Sequence, residues 1–192
     1  MRPKSEIFRQ QKVVNLLEKF GMSECRGSPT PLVPRQQLKA TASCPDSEKA
    51  TVAEHSRFMS AVGGIQYLAV VTRPDLSYVC NALAKHMACS LKEHWAAIQH
   101  VLRYLQSTKN LGITFGGSEN KSLVEAYTNA NFANACDCKS VSGMVIRVYG
   151  SCVVWRSKRQ DTIASDTTEA EIIAMTSAAK ELMWVKKLLV AL

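Results

Sequence analysis

Residues 142–157 read SGMVIRVYGSCVVWRS, and they do not fit a helical chain. Two runs rich in β-branched and aromatic side chains, GMVIRVYG and SCVVWRS, meet at Tyr149-Gly150-Ser151. That is the pattern of two short strands joined by a hairpin turn. Upstream, LGITF (111–115) and LVEAYT (123–128) read as strands too. The hydrophobic period therefore changes after Lys109.

Before Lys109 the spacing is helical. Val13, Leu16, Leu17 and Phe20 share one face of a helix expected over 6–20, with Gly21 as its stop. Residues 22–50 carry Pro29, Pro31, Pro34 and Pro45 among many polar side chains and read as an irregular arm. Helical spacing resumes near Glu54 through Phe58, Val62, Ile65 and Leu68, although Gly63-Gly64 interrupts it. Arg73-Pro74-Asp75 breaks the chain. A helix is expected from Leu76 to Met87 with Leu76, Val79, Cys80, Leu83 and Met87 inward. Another is expected from Glu93 to Gln106 around Trp95, Ile98, Leu102 and Leu105. His86, His94 and His100 on or near these helices read as surface or packing residues. From about Thr168 the chain is again helical, with Ile172, Met175, Leu182, Leu188 and Leu189 as inward candidates. The class predicted is α+β: a helical segment over 1–108, then a small sheet and a long C-terminal helix over 109–192.

Composition narrows the function classes. A hydrophobic fraction of 46% over 192 residues is that of a globular chain. The net charge of +8 fits a nucleic-acid partner and equally a merely soluble basic protein, because the 24 basic residues are scattered. Their tightest cluster, Arg156, Lys158 and Arg159, also reads as a solvated strand end. The seven cysteines are irregularly spaced, and Cys136-x-Cys138 lacks partners at zinc-like spacing. A reducing compartment or an unselected history is expected rather than a disulfide framework. The first twenty residues hold no apolar signal-peptide core, and no run has the ~20 apolar residues of a membrane-spanning helix. The default expectation is a cytoplasmic or nuclear location without a membrane partner.

Four stretches carry a family resemblance: FGMSECRGSPTPL (20–32), YLAVVTRPDLSYVCNALAKHM (67–87), KEHWAAIQHVLRYLQSTKNLGITF (92–115) and SGMVIRVYGSCVVWRSKRQDTIASDTTEAEIIAMTSAAKELMWVKKLL (142–189). In series they resemble copia-type retrotransposon Pol polyproteins, from the tail of the reverse transcriptase into the ribonuclease H domain. The resemblance implies an incomplete ribonuclease-H-like mixed sheet after a helical reverse-transcriptase remnant. The family's paired polymerase aspartates are expected upstream of Met1, so polymerisation is not.

Ribonuclease H chemistry uses several carboxylates to hold two Mg²⁺ ions about 3.5–4 Å apart, one activating water and one steadying the leaving oxygen. The resemblance puts the first acid in a Tyr-Ser-Asp-Ala-Asp type motif. Here it reads Tyr127-Thr128-Asn129-Ala130-Asn131, with Asn129 at the metal-bridging position. The second acid falls at Glu171. Glu169 reads as a first-turn acid complementing the helix dipole, and Asp137 is not counted as a ligand. The remaining acids are expected beyond Leu192, as is a strand that would neighbour 124–128. The sequence thus implies a degenerate site at Asn129 and Glu171, no bound metal or cofactor, and no enzyme activity. It also implies a free sheet edge open to self-association unless LGITF fills the gap. The partner expected is an RNA–DNA hybrid or other nucleic acid, bound weakly through phosphates.

The chain is similar as well to copia-like fragments among secreted RxLR-type effectors of oomycete plant pathogens. That implies a second class: a secreted protein acting in a host cell on immunity or cell death, with a host protein as partner. The nearest string to such a motif, Arg103-Tyr104-Leu105-Gln106, lies inside the predicted helix.

Overall fold

The computed structural model describes residues 5–7, 10–33, 38–39, 48–116, 123–133 and 138–191. They fall into two compact units, 8–112 and 113–192, the latter taking in residues 1–7.

The first unit is helical. Helix α1 (Gln10–Lys19) is followed by α2 (Val52–Val71), a 3-10 turn (Pro74–Leu76), α3 (Ser77–Ala84) and α4 (Lys92–Ser107). α1 starts four residues later than the apolar spacing suggests, because Ser5–Ile7 is a strand. Phe58, Val62, Ile65 and Leu68 of α2 meet Leu17 of α1, Leu83 of α3 and Ile98, Leu102 and Leu105 of α4 in one core. The glycine pair does not break α2. A Cβ on Gly64 would run into the Leu16 side chain, whereas one on Gly63 would meet open space. Gly64 is thus where α1 presses against α2. Thr51 and Glu54 cap α2 reciprocally: Glu54 N–H donates to Thr51 Oγ1 at 3.3 Å and Thr51 N–H to Glu54 Oε2 at 2.8 Å.

Arg73, read from the sequence as part of a chain break, is 1% exposed. Its guanidinium donates to both Asp75 carboxylate oxygens, to Thr108 carbonyl oxygen at 3.0 Å and to Thr108 Oγ1 at 2.8 Å. Tyr104 hydroxyl donates to Asp75 Oδ2 at 2.8 Å. The break is thereby pinned to the end of α4. α3 ends at Ala84, before the expected Met87, which still packs on the core.

The histidines are packing residues, and two are fully inside: His94 is 0% exposed and His86 8%. Leu91 N–H donates to His94 Nδ1 at 3.0 Å, so that imidazole caps the start of α4. This leaves Nε2 to carry the proton toward Lys39 carbonyl oxygen, 3.1 Å away. The His86 ring lies 3.8 Å from that of His94, centroid to centroid.

The second unit is a sheet under one helix. Strands β3 (Val124–Asn131), β4 (Val141–Val148) and β5 (Ser151–Arg159) form an antiparallel sheet in that order. Tyr149 and Gly150 both have positive φ, 47° and 77°, as a two-residue hairpin turn between β4 and β5 requires. Ser151 already belongs to β5. The expected mixed sheet has no parallel pair among the described residues. Adjacent strands joined by short connections pair antiparallel, and a parallel partner needs a long crossover.

Strand β1 (Ser5–Ile7) pairs antiparallel with β2 (Ile113–Phe115). LGITF therefore does not cover the free side of β3. Gly116, just past β2, instead donates to Ser151 Oγ at the start of β5. Helix α5 (Thr167–Ala191) crosses the sheet and buries Ala170, Ala174, Ala178 and Val185, in a unit whose buried strand residues include Met144 and Ile146. This corrects the expected inward face: Ile172, Met175 and Leu188 are exposed, and Leu182 and Leu189 are half-buried. Small side chains let the first half of the helix lie close to the sheet, while Ile172, Met175 and Leu188 stay exposed.

Candidate functional site

The last residues of β3 and the first turn of α5 converge. Asn129 pairs with Gly143 and Ala130 with Ser142 across the β3–β4 ladder. Ala130 N–H donates to Glu171 Oε2 at 2.9 Å. That bond brings the two positions singled out in the sequence, Asn129 and Glu171, to one end of the sheet. Asn129 and Asn131 are exposed, and Glu171 is half-buried.

Glu169 sits apart from this junction as a helix cap. Its Oε2 accepts Ser165 N–H at 2.6 Å, and Asp166 Oδ1 accepts Glu169 N–H at 2.8 Å. The hydrogen bond from the Ser165 backbone holds the Glu169 carboxyl below its ordinary range. Asp137, with Cys136, lies outside the described residues.

Gln160, which sequence reasoning passed over, locks the junction in place. It is 5% exposed. Its Nε2 donates to Ala170 carbonyl oxygen at 2.8 Å and to Ser142 Oγ at 2.9 Å, fastening the first turn of α5 to β4. Nothing in its local sequence sets it apart from the polar residues around it.

The donor set does not suit Mg²⁺, which prefers anionic oxygens. It offers one carboxylate, with an oxygen already accepting a backbone N–H, and neutral amides at 129 and 131. Among the described residues no three His, Cys, Asp or Glu side chains are grouped to hold a metal ion.

The basic cluster at the end of β5 is largely engaged. Arg156 pairs with Glu181 at 3.4 Å and Lys158 with Asp161 at 3.1 Å. They line a cavity of about 150 Å³ between the sheet and α5 together with Arg159 and Asp161. The helical unit holds a different cleft, of about 560 Å³, lined by Cys25, Arg26, Ser28, His100 and Arg103 with no acidic residue. His100 Nε2 is 3.1 Å from Ser28 Oγ there. No helix among the described residues is long and apolar enough to cross a membrane.

No protein-family model matches the chain, and no solved structure does. Several curated proteins do. The Retrovirus-related Pol polyprotein from transposon TNT 1-94 of Nicotiana tabacum is 35% identical over 186 residues, 95% of this chain and 14% of that polyprotein. The Retrovirus-related Pol polyprotein from transposon RE2 of Arabidopsis thaliana is 32% identical over 189 residues, 97% of this chain and 12% of its own length. Secreted RxLR effector protein 161 of Plasmopara viticola is 41% identical over 128 residues, 66% of this chain and 89% of that protein. The chain thus spans a small part of the Pol polyproteins and most of the shorter relative.

Proposed function

Since the chain belongs to the copia-type transposon Pol family, we propose that it is a Pol-derived protein without ribonuclease H catalysis, keeping at most a weak, sequence-independent hold on nucleic acid. The observation that carries this reading is Asn129 beside Glu171. An amide stands where the family resemblance calls for a metal-bridging aspartate, and the surviving carboxylate accepts the Ala130 N–H. A neutral amide contributes neither the charge nor the second anionic oxygen that two-metal hydrolysis uses. Incubation with an RNA–DNA hybrid and Mg²⁺ or Mn²⁺ tests the loss of catalysis, and intact hybrid is expected.

The acid-free cleft with Arg26 and Arg103 supports the binding half of the proposal, because phosphate contacts need only cationic side chains. Titration with a hybrid at two salt concentrations tests it. Binding is expected to weaken steeply with salt, and replacing both arginines by alanine to lower the salt slope by about two. Salt-independent binding, or none at low salt, rules this half out.

The 41% relative favours a second reading, a Pol-derived chain redeployed as a secreted effector acting on host immunity or cell death. Expression of the full chain in leaf cells, scored for change in elicited cell death, tests it. An unchanged response removes this reading.

A further inference from the structure

In the helical unit, the chain after α1 is clamped onto α4 around Ser28. Ser28 N–H donates to Arg103 carbonyl oxygen at 3.2 Å, and Ser107 hydroxyl donates to Ser28 carbonyl oxygen at 2.6 Å. Ser28 hydroxyl donates to Thr30 carbonyl oxygen at 3.1 Å, so its lone pairs are free to accept the His100 Nε2 proton, also at 3.1 Å. A Cβ on Gly27 would come within 2.7 Å of Ser107 Cβ, so the backbone touches the helix there. These contacts put Arg26 of the clamped chain and Arg103 of α4 into the walls of one cleft. His100 and Arg103 share a face of α4, one turn apart.

The protein does not balance the charges of this cleft. Neither guanidinium makes a hydrogen bond or ion pair among the described residues. Glu24, exposed two residues before Arg26, is not in the lining. Like charges held in one cleft repel, and a bound anion relieves that. A phosphomonoester carries about 1.5–2 negative charges near neutral pH. That matches two guanidinium groups, and its oxygens suit their forked donors. An internal phosphodiester carries only about one charge. The volume of about 560 Å³ falls in the range of small-ligand pockets, roughly 300–1,000 Å³, and leaves room beyond a phosphate. Met22 and Pro29 supply apolar surface there, and Gln99 an amide that both donates and accepts, as a base and sugar require.

We propose that this cleft binds the terminal phosphomonoester of a nucleotide, either free or at the end of a strand. The proposal rests on the nucleic-acid reading above, which uses the same cleft, and deepens it by naming the end group as what is held.

Calorimetric titration of the full chain with adenosine monophosphate, adenosine and inorganic phosphate tests it, beside a short single strand with and without a 5′-phosphate. Adenosine monophosphate is expected to bind, inorganic phosphate to bind more weakly and adenosine not to bind. The 5′-phosphate is expected to tighten the strand about tenfold. Arg26→Ala and Arg103→Ala, both at exposed positions, are each expected to remove the preference for phosphate while circular dichroism shows the fold retained. Lys12→Ala, an exposed cation on α1 outside the lining, is expected to keep it. Binding of the mononucleotide without a strand-end preference identifies the free nucleotide as the ligand, and the reverse identifies the strand end. Absence of both overturns the proposal, and salt-sensitive binding of a hybrid in that case leaves the nucleic-acid reading standing. Adenosine or inorganic phosphate binding as tightly as adenosine monophosphate also overturns it, as do equal losses from Lys12→Ala and the arginine variants.

Discussion

Arg73 shows how a residue's role escapes a local reading. Arg73-Pro74-Asp75 is legible as a break, because proline ends helices. The pin it forms is not legible, since its partner Thr108 lies 35 residues away. A buried guanidinium persists only when its donors are used, and here they are spent on Asp75 and Thr108. Arg73→Ala is expected to cost about 3 kcal/mol of stability in the helical unit, measured by urea unfolding. Arg73→Lys should not restore it, because a point charge cannot make the forked contact. The glycine pair gives a second measurement at single residues. Gly63→Ala is expected to stabilise by about 0.5–1 kcal/mol by reducing unfolded-state entropy at a site with open space. Gly64→Ala should lose that gain, because the added methyl group displaces Leu16. Equal shifts in thermal midpoint for the two variants would contradict the close approach of α1 and α2. The candidate site was legible at Asn129 and Glu171 only through the family resemblance. Gln160 was not legible at all, because its importance comes from Ser142 and Ala170, which reach it only after the sheet and α5 are assembled.

Among the elements, α2 and α4 followed from their apolar spacing because each has one buried face. For α5 the spacing could not choose a face, since apolar residues occur on every side. Contact with the sheet selected the alanines. Strand β3 was legible as a strand, and its free side remains uncovered by β2. The Ala130–Glu171 bond occupies one backbone donor near its end. The start of α4 carries a pH dependence. His86 is held down from 6.5 to about 4, first by burial and then by the nearby His94, with Lys85 acting in the same direction and Glu93 opposing. His94 is also lowered, by burial, against its bond to Lys39 carbonyl oxygen and the neighbouring Glu93. A histidine held below its ordinary value stabilises the fold while neutral. That stability is complete above pH 6.5 and is lost as pH falls from 6.5 toward about 4. The thermal midpoint should therefore drop across this interval, and His86→Gln should flatten the drop. A midpoint indifferent to pH there would contradict the buried pair.

For the molecule as a whole, the order of helices, strands and a final helix was legible because the hydrophobic period changes after Lys109 and again near Thr168. The net charge of +8 was a weaker guide. Folding pairs Arg156 with Glu181 and Lys158 with Asp161 at the surface, which partly offsets the tightest basic cluster in the sequence. Membership in the copia-type Pol family supplies the chemistry against which Asn129 and Glu171 are judged. Asn129→Asp is expected to leave the chain inactive. It raises the carboxylates at this junction from one to two, and no third ligand joins them among the described residues. The decisive measurement is made on the purified wild-type chain, incubated with an RNA–DNA hybrid and Mg²⁺ or Mn²⁺ beside a Glu171→Gln variant. The expected result is an RNA strand left intact by both. Cleavage by the wild type that disappears in Glu171→Gln would contradict the proposal and assign a working metal site to the β3–α5 junction.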